Sequence, residues 1–319
     1  MTQVTVIIPN YNGETLLPVC LSSLMEQTYA QYEILVVDNG STDGSAELIK
    51  QDYPSVRLLK LDCNYGFSAA VNRGIAQCDT PYVILLNNDT KAEPAFVEEL
   101  VCAIDKRPDA FSCQAKMIDF HDPSVMDDAG DFFCAMGWAF ARGRGKSVEL
   151  YEEDARIFSA CAGAAIYRRS AFSKVGLFDE NHFAYLEDID LGYRARLWGY
   201  RNYFAHRARV YHMGSATSGE RHNAFKVRLS AQNSIYVCYK NMTGGQLALN
   251  ALLLGLGILI KQVYFHRRGL GQEYREGLKK GFSLCRKENK PDMDRTKRKN
   301  AWKLEGTLLC NIGRRVWSR

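Results

Sequence analysis

The sequence predicts an α/β protein built on a mostly parallel, doubly wound sheet. Three observations predict it. Short β-branched apolar runs recur through the first ninety residues, helical stretches alternate with them, and polar residues cluster directly after each run. Val4–Pro9 (VTVIIP) reads as a buried parallel strand, because an apolar run without alternation has no solvent side. Asn10-Tyr11-Asn12-Gly13 follows, then a helix with Leu17, Leu21, Leu24 and Met25 on one face. Ile34–Val37 is the second strand, Asp38–Ser41 a turn, and Ser45–Gln51 a helix. Val56–Leu61 is the third strand. Asn64–Gly74 is punctuated by glycine and holds a helix, and Val83–Leu86 is the fourth strand, ending at Asn87-Asn88-Asp89.

The middle of the chain, Ala110–Ser215, mixes strand-like runs (Ala164–Tyr167, Val210–His212) with one clear helix. That helix starts near Glu187 and stops before Gly199, with Leu186, Ile189, Tyr193 and Leu197 as its buried stripe. Arg142–Glu153 is rich in glycine and charge and reads as a flap. After Met242 the character changes. Leu247–Ile260 is apolar apart from Asn250 and is too short to span a bilayer, which takes roughly 20 residues. The expected division is 1–242 as one catalytic domain, with 1–90 holding a nucleotide and 91–242 the metal and acceptor. Residues 243–319 are then an apolar helix and basic tail that meets a membrane surface.

Charge supports that last expectation. The net charge is +5, but residues 266–319 hold 16 Lys/Arg against 6 Asp/Glu, so the body before them is mildly acidic. An acidic body argues against nucleic acid as a partner, and a basic tail suits the anionic cytoplasmic face of a membrane. Ten cysteines include no C-x-x-C pair and no zinc-site spacing, so they read as reduced thiols. No charged-then-apolar leader precedes Val4, which places the expected catalytic body in the cytoplasm.

Neither G-x-G-x-x-G nor G-x-x-x-x-G-K-[ST] follows the first strand, so dinucleotide and P-loop chemistry lose their support. Asp38 reads either as a turn residue or as an acceptor for a base N–H, with Tyr11 able to stack on that base. Asp89, beside Asn87 and Asn88, is either a turn residue or a ligand for Mg²⁺ or Mn²⁺ against a diphosphate. In Glu187-Asp188-x-Asp190, an ion pair from Asp190 to Arg194 accounts for the third acid. Glu187 and Asp188 follow Phe183-Ala184-Tyr185, and a carboxylate beside apolar rings has its pKa raised and can serve as a general base. His212 alone reads as a structural histidine more readily than as a ligand.

Taken together, VTVIIPNYNG, EILVVDNGSTDGS, NYGFSAAVNRG, YVILLNNDT and VGLFDENHFAYLEDIDLGYRARLWGYR followed by YHMG resemble the family 2 glycosyltransferases and their rhamnosyltransferase-like branch. The likeness runs from Val4 to Ser215. It implies the GT-A fold: a Rossmann-like nucleotide-binding sheet with an acceptor-side half, here followed by a helical extension. It implies that Pro9, Tyr11, Asn12 and Asp38 hold nucleobase and ribose, with Gly66, Asn72 and Asn88 near the nucleotide. Asp89 and His212 would bind the metal, Asp188 would be the catalytic base, and Glu187 would support it. The implied partners are a dTDP-, UDP- or GDP-linked sugar and a glycan or lipid-linked glycan acceptor, in polysaccharide biosynthesis at the inner face of the cell membrane. Asn87 stands where many relatives carry Asp, and the Gln-x-x-Arg-Trp motif of processive synthases is absent, which favours single addition. A sugar nucleotidyltransferase would need a glycine-rich basic loop at Asn10–Gly13, and a non-catalytic scaffold would not need the Glu187, Asp188, Asp89 and His212 set.

Overall fold

The structure is a computed structural model that describes residues 2–214 and 223–317. Ser215, the expected end of the middle segment, and Arg319, the end of the basic tail, lie outside them. Along the chain, β1 (Val4–Asn10), α1 (Leu17–Met25), β2 (Tyr32–Asp38), α2 (Ser45–Asp52), β3 (Arg57–Lys60), α3 (Phe67–Ala76) and β4 (Tyr82–Leu86) alternate as expected. Then come β5 (Thr90–Ala92), α4 (Phe96–Asp105), β6 (Ala110–Asp119), β7 (Met126–Asp128), β8 (Asp131–Phe133), β9 (Ala139–Ala141), β10 (Ala155–Ile157) and β11 (Ala164–Arg168). The short α5 (Phe172–Val175) leads to α6 (Glu187–Leu197) and the long β12 (Arg201–His212). Five helices follow: α7 (Ala224–Asn241), α8 (Gly244–Leu249), α9 (Ala251–His266), α10 (Gly271–Leu284) and α11 (Arg295–Trp317).

The main sheet runs β10-β12-β6-β11-β4-β1-β2-β3, with β5 added to β12 and β7 to β6. β4, β1, β2 and β3 are mutually parallel. β11 runs antiparallel between β4 and β6, while β6 and β12 are again parallel. The two-residue period of β1 explains why its whole run is apolar. Val4, Val6 and Ile8 point into the core shared with α1 and α4, and Ile7 points into the core shared with α3. All four are fully buried.

Two expectations need correction. The apolar run 247–260 is not one helix. It breaks at the buried Asn250, whose Nδ2 donates to Glu305 Oε1 at 2.7 Å. The basic tail is not a loose appendage either. α11 buries Ala301, Leu304 and Leu308 against Tyr193, Leu197 and Phe133, and Asn311 Nδ2 donates to the Phe133 carbonyl at 2.8 Å. Its charges occupy the other face. The segment 142–153, expected as a flap, is tied down by Arg144 to Asp127 at 3.4 Å and by Lys116 to Glu152. All ten cysteines are free thiols, as expected.

α6 and α7 are joined by a buried ionic network. Asp190 accepts from Arg194 Nε at 2.9 Å, Lys240 Nζ at 2.9 Å and Asn241 Nδ2 at 2.7 Å. Although burial opposes its charge, Arg194, Lys240 and the other neighbours hold its carboxyl well below the usual range. Lys240 also reaches Asp179 at 2.6 Å. Removing one member strands the remaining buried charges, so Asp190→Ala is expected to cost about 3–5 kcal/mol in a denaturant titration. A loss within about 0.5 kcal/mol, the scale of a surface change, would contradict this role for the network.

Candidate active site at the carboxyl edge of the sheet

The ends of β1, β2 and β4 are wired together by amides. Asn10 pairs in register with Asp38. Its Nδ2 donates to Asp38 Oδ1 at 3.2 Å, and its Oδ1 accepts from Asn88 Nδ2 at 2.7 Å. A Cβ on Gly13 would fall 2.2 Å from Asn10 Oδ1 and 2.3 Å from Asn88 Nδ2, so only glycine closes over this bond. Asn39 continues the edge, donating to Asn64 Oδ1 at 3.0 Å and to the Gly66 carbonyl at 3.2 Å.

Strand register brings the next group together. β5 runs antiparallel to β12 so that Thr90 pairs with His212, which sets Asp89 beside the imidazole. β7 lies against β6, itself the parallel neighbour of β12, and supplies Asp127 from the other side. His212 Nε2 is 3.3 Å from Asp89 Oδ1, and His212 Nδ1 is 2.7 Å from Asp127 Oδ2. Burial disfavours the imidazolium, but hydrogen bonds to Asp127 and Asp89 and their charges prevail and push its pKa up to about 10. A carboxylate on Nδ1 fixes the ring and aims Nε2, the arrangement that orients metal-binding histidines.

The third group rests on a strained turn. Phe183, Tyr185 and Leu186 all have positive φ, of 59°, 69° and 65°. Such conformations cost on the order of 1–3 kcal/mol each and persist only where the surroundings over-determine them. Asn233 of α7, fully buried, does so here. Its Nδ2 donates to the carbonyls of His182 at 3.0 Å, Ala184 at 2.9 Å and Tyr185 at 2.7 Å. Gly66 seals the other side, since a Cβ on it would meet Phe183 at 2.6 Å. α6 starts from this turn, so its first residues, Glu187 and Asp188, face the sheet edge.

These pieces line one cavity of about 1040 Å³. Of the expected site residues, Pro9, Tyr11, Gly66, Asn88, Asp89, Glu187, Asp188 and His212 line it. Asp38, Asn12 and Asn72 are not among its lining residues. Asp38 is fully buried beside Asn10, with Oδ2 lacking a partner. Asn12 is exposed and accepts from the Thr42 amide at 2.8 Å. Asn72 turns away from the cavity, donating to the Phe178 carbonyl and accepting from the Phe178 amide.

Asp127, Asp128, Asp131 and Asn39 also line the cavity, and the sequence reading missed them. The carboxylates crowd one another. Burial raises Asp188 to about 6 against the opposing hydrogen bond from the Ile189 amide. Burial likewise raises Asp128 to about 7, despite donors from Gln114 and Gly130. Glu187 is raised well above its usual range by burial and then by Asp188, and Asp131 by burial and then by Asp128. Carboxylates this close hold protons in common rather than each carrying a full charge at neutral pH.

The Glycosyl transferase family 2 profile matches residues 5–176, more than half of the chain. An N-acetylglucosaminyl-diphospho-decaprenol L-rhamnosyltransferase of Mycobacterium tuberculosis is 32% identical over 222 residues, which cover 62% of this chain and 72% of that protein. The O-antigen biosynthesis protein RfbC of Myxococcus xanthus is 28% identical over 226 residues, 67% of this chain and 18% of that one. Among solved structures, GalNAc-T7 with UDP, GalNAc and Mn²⁺ has a TM-score of 0.61 at 16% identity, covering 75% of this chain and 48% of that chain. S. aureus TarS 1–349 has a TM-score of 0.52 at 16% identity, covering 88% and 92%. At those identities the solved structures speak to the fold.

The turn before α6 can be tested without any assay of activity. Asn233→Ala and Asn233→Asp are each expected to lower the unfolding free energy by about 1–3 kcal/mol, because buried carbonyls lose their donor. Both are also expected to speed amide exchange across residues 182–188. Unchanged exchange there would mean that the turn holds itself.

Proposed function

The chain belongs to glycosyltransferase family 2, and from that premise we propose that it moves a sugar from a nucleotide diphosphate sugar to a hydroxyl of a glycan or lipid-linked glycan acceptor, inverting the anomeric carbon. The observation that carries this reading is the shared cavity. Asp188 with Glu187 and the Asp89–His212 pair line one space at the carboxyl edge of the parallel strands, where open α/β sheets bind ligands.

In this reading Tyr11, Pro9 and the Asn39 edge receive the nucleotide, while Asp38 acts from behind the wall by holding Asn10. Asp89 and His212 would hold a divalent cation of the Mg²⁺ or Mn²⁺ kind. The fit rests on the 3.3 Å approach of Nε2 to Oδ1 and on Asp127 occupying Nδ1. Bound there, the cation supplies positive charge to a diphosphate leaving group. Asp188 accepts the proton of the attacking hydroxyl. Its raised pKa matches that task, because a base works best when its pKa lies near the operating pH. Glu187, buried beside it with Oε2 lacking a partner, keeps the local charge low and is free to meet an acceptor hydroxyl.

The identity to a rhamnosyltransferase favours rhamnose on a dTDP carrier as donor, used in cell-surface polysaccharide synthesis. Among the described residues, no helix is long and apolar enough to cross a membrane. The reading therefore makes this a peripheral protein at the cytoplasmic face, supported by the basic carboxyl-terminal region.

Asp188→Asn is expected to lower turnover by about 10²–10⁴-fold, the usual worth of a general base, while donor nucleotide still binds. Asp188 must be deprotonated to act, and its pKa is raised to about 6. Turnover should therefore fall about tenfold per pH unit below that point and level off above it. A variant with near-native turnover, or a wild-type profile with no acid limb, would remove Asp188 from the role.

A further inference from the structure

The cavity has a second end that the transfer chemistry does not use. It is walled by α9, which touches the body through one buried residue, Gly257. A Cβ there would lie 2.4 Å from the Met136 carbonyl, and Trp138 Nε1 donates to the Gly257 carbonyl at 3.2 Å. The inner side of the helix contributes Ile260, Lys261, Tyr264 and Phe265 to the cavity, next to Trp138 and Arg315.

Lys261 is the unusual group. Its Nζ stands 5.7 Å from the centre of the Trp138 ring. No carboxylate pairs with it among the described residues. The groups that act on it are the Cys134 and Cys238 thiols and the like-charged Arg315, and burial lowers its pKa to about 8. A part-buried cation facing a second cation suits an anion better than it suits an empty space. The acids of this cavity sit at the other end, on β7, β8 and the start of α6.

The outer side of the same helix carries Leu252, Leu256, Leu259 and Val263, spaced four, three and four residues apart on one face. All are exposed, Leu252 by 89%. Arg267 and Arg268 are exposed just beyond the helix end, with Arg268 over the Tyr264 ring at 3.9 Å. An apolar stripe closed by arginines is the composition of a helix lying in the surface of an anionic bilayer.

We propose that this end of the cavity takes an amphiphilic acceptor, a sugar joined to an apolar chain through a phosphate or diphosphate. Lys261, with Arg315, faces the phosphate, and the outer stripe of α9 lies in the bilayer that holds the chain. The acceptor hydroxyl then enters toward Asp188 while its tail stays in the membrane. This rests on the cavity being the transfer site proposed above and names the class of acceptor that fits it.

The test is sedimentation of the full chain with three kinds of vesicle: phosphatidylcholine alone, with phosphatidylglycerol, or with undecaprenyl diphosphate. Undecaprenyl diphosphate vesicles are expected to bind best. Lys261→Gln should weaken that preference by about tenfold, the scale of one lost charge-assisted contact, and Lys261→Arg should restore it. The double variant Leu252→Glu with Leu256→Glu should lose binding to all three, with its unfolding midpoint unchanged as the check on folding. Undecaprenyl diphosphate binding that survives Lys261→Gln, or that phosphatidylglycerol matches, would overturn the phosphate site. A dimer split by the leucine variant, with vesicle binding unchanged, would make a second copy the occupant of the stripe and also overturn it. Binding needs no turnover, so a chain that binds these vesicles yet transfers no sugar would count against the transferase reading alone.

Discussion

The site depends on one side-chain amide. Asn233 offers two N–H bonds to three carbonyls of the segment 182–185, so at least one hydrogen is shared. That donor offsets the strain of three left-handed residues, none of them glycine. It thereby fixes where α6 begins and which way its first two carboxylates face. The ionic network beneath, from Asp190 to Arg194 and Lys240, locks α6 onto α7 and so keeps Asn233 in place. Stability is concentrated in a layer that touches no substrate, and the layer above it inherits its geometry.

That geometry gathers Asp89, Asp127, Asp128, Asp131, Glu187 and Asp188 around one cavity. Such a collection is tolerable because its charge is spread unevenly. Asp127 is held as a carboxylate by His212 and Arg144 despite its burial, while Asp128, Asp131 and Glu187 are pushed toward the protonated form. Asp188 sits between these extremes, raised yet still able to lose its proton near neutrality. One cavity thus offers a pre-aimed ligand pair, a base and neutral acids that can hydrogen-bond hydroxyl groups. The opposite end offers cations.

The parallel strands were legible because burial on both faces writes short unbroken apolar runs, as in Val4–Pro9, and α6 was legible from its stripe and from Gly199. The clustering of Asn10, Asp38 and Asn88 at strand ends followed from topology. Asp127 was not legible, since its bond to His212 depends on the registers of β5, β6, β7 and β12 together. Asn233 was hidden for the same reason: an asparagine inside a helix announces nothing about a turn some fifty residues earlier. In α11 the pattern of Ala301, Leu304, Leu308 and Asn311 was present in the sequence, but the count of basic residues drew attention to charge instead of to the buried face between the charges. Asn250 was visible as an interruption, and only its contact with Glu305 makes it a break.

The facing of Asp188 and the Asp89–His212 pair across one space is what everything else serves. Most direct is an anomalous difference map from crystals grown with Mn²⁺ and a nucleoside diphosphate. The manganese peak is expected between Asp89 Oδ1 and His212 Nε2, with the Asp188 carboxylate opposite it across the room for a sugar. A peak held instead by Asp128 and Asp131, or an Asp188 side chain packed away from the nucleotide, would contradict that arrangement.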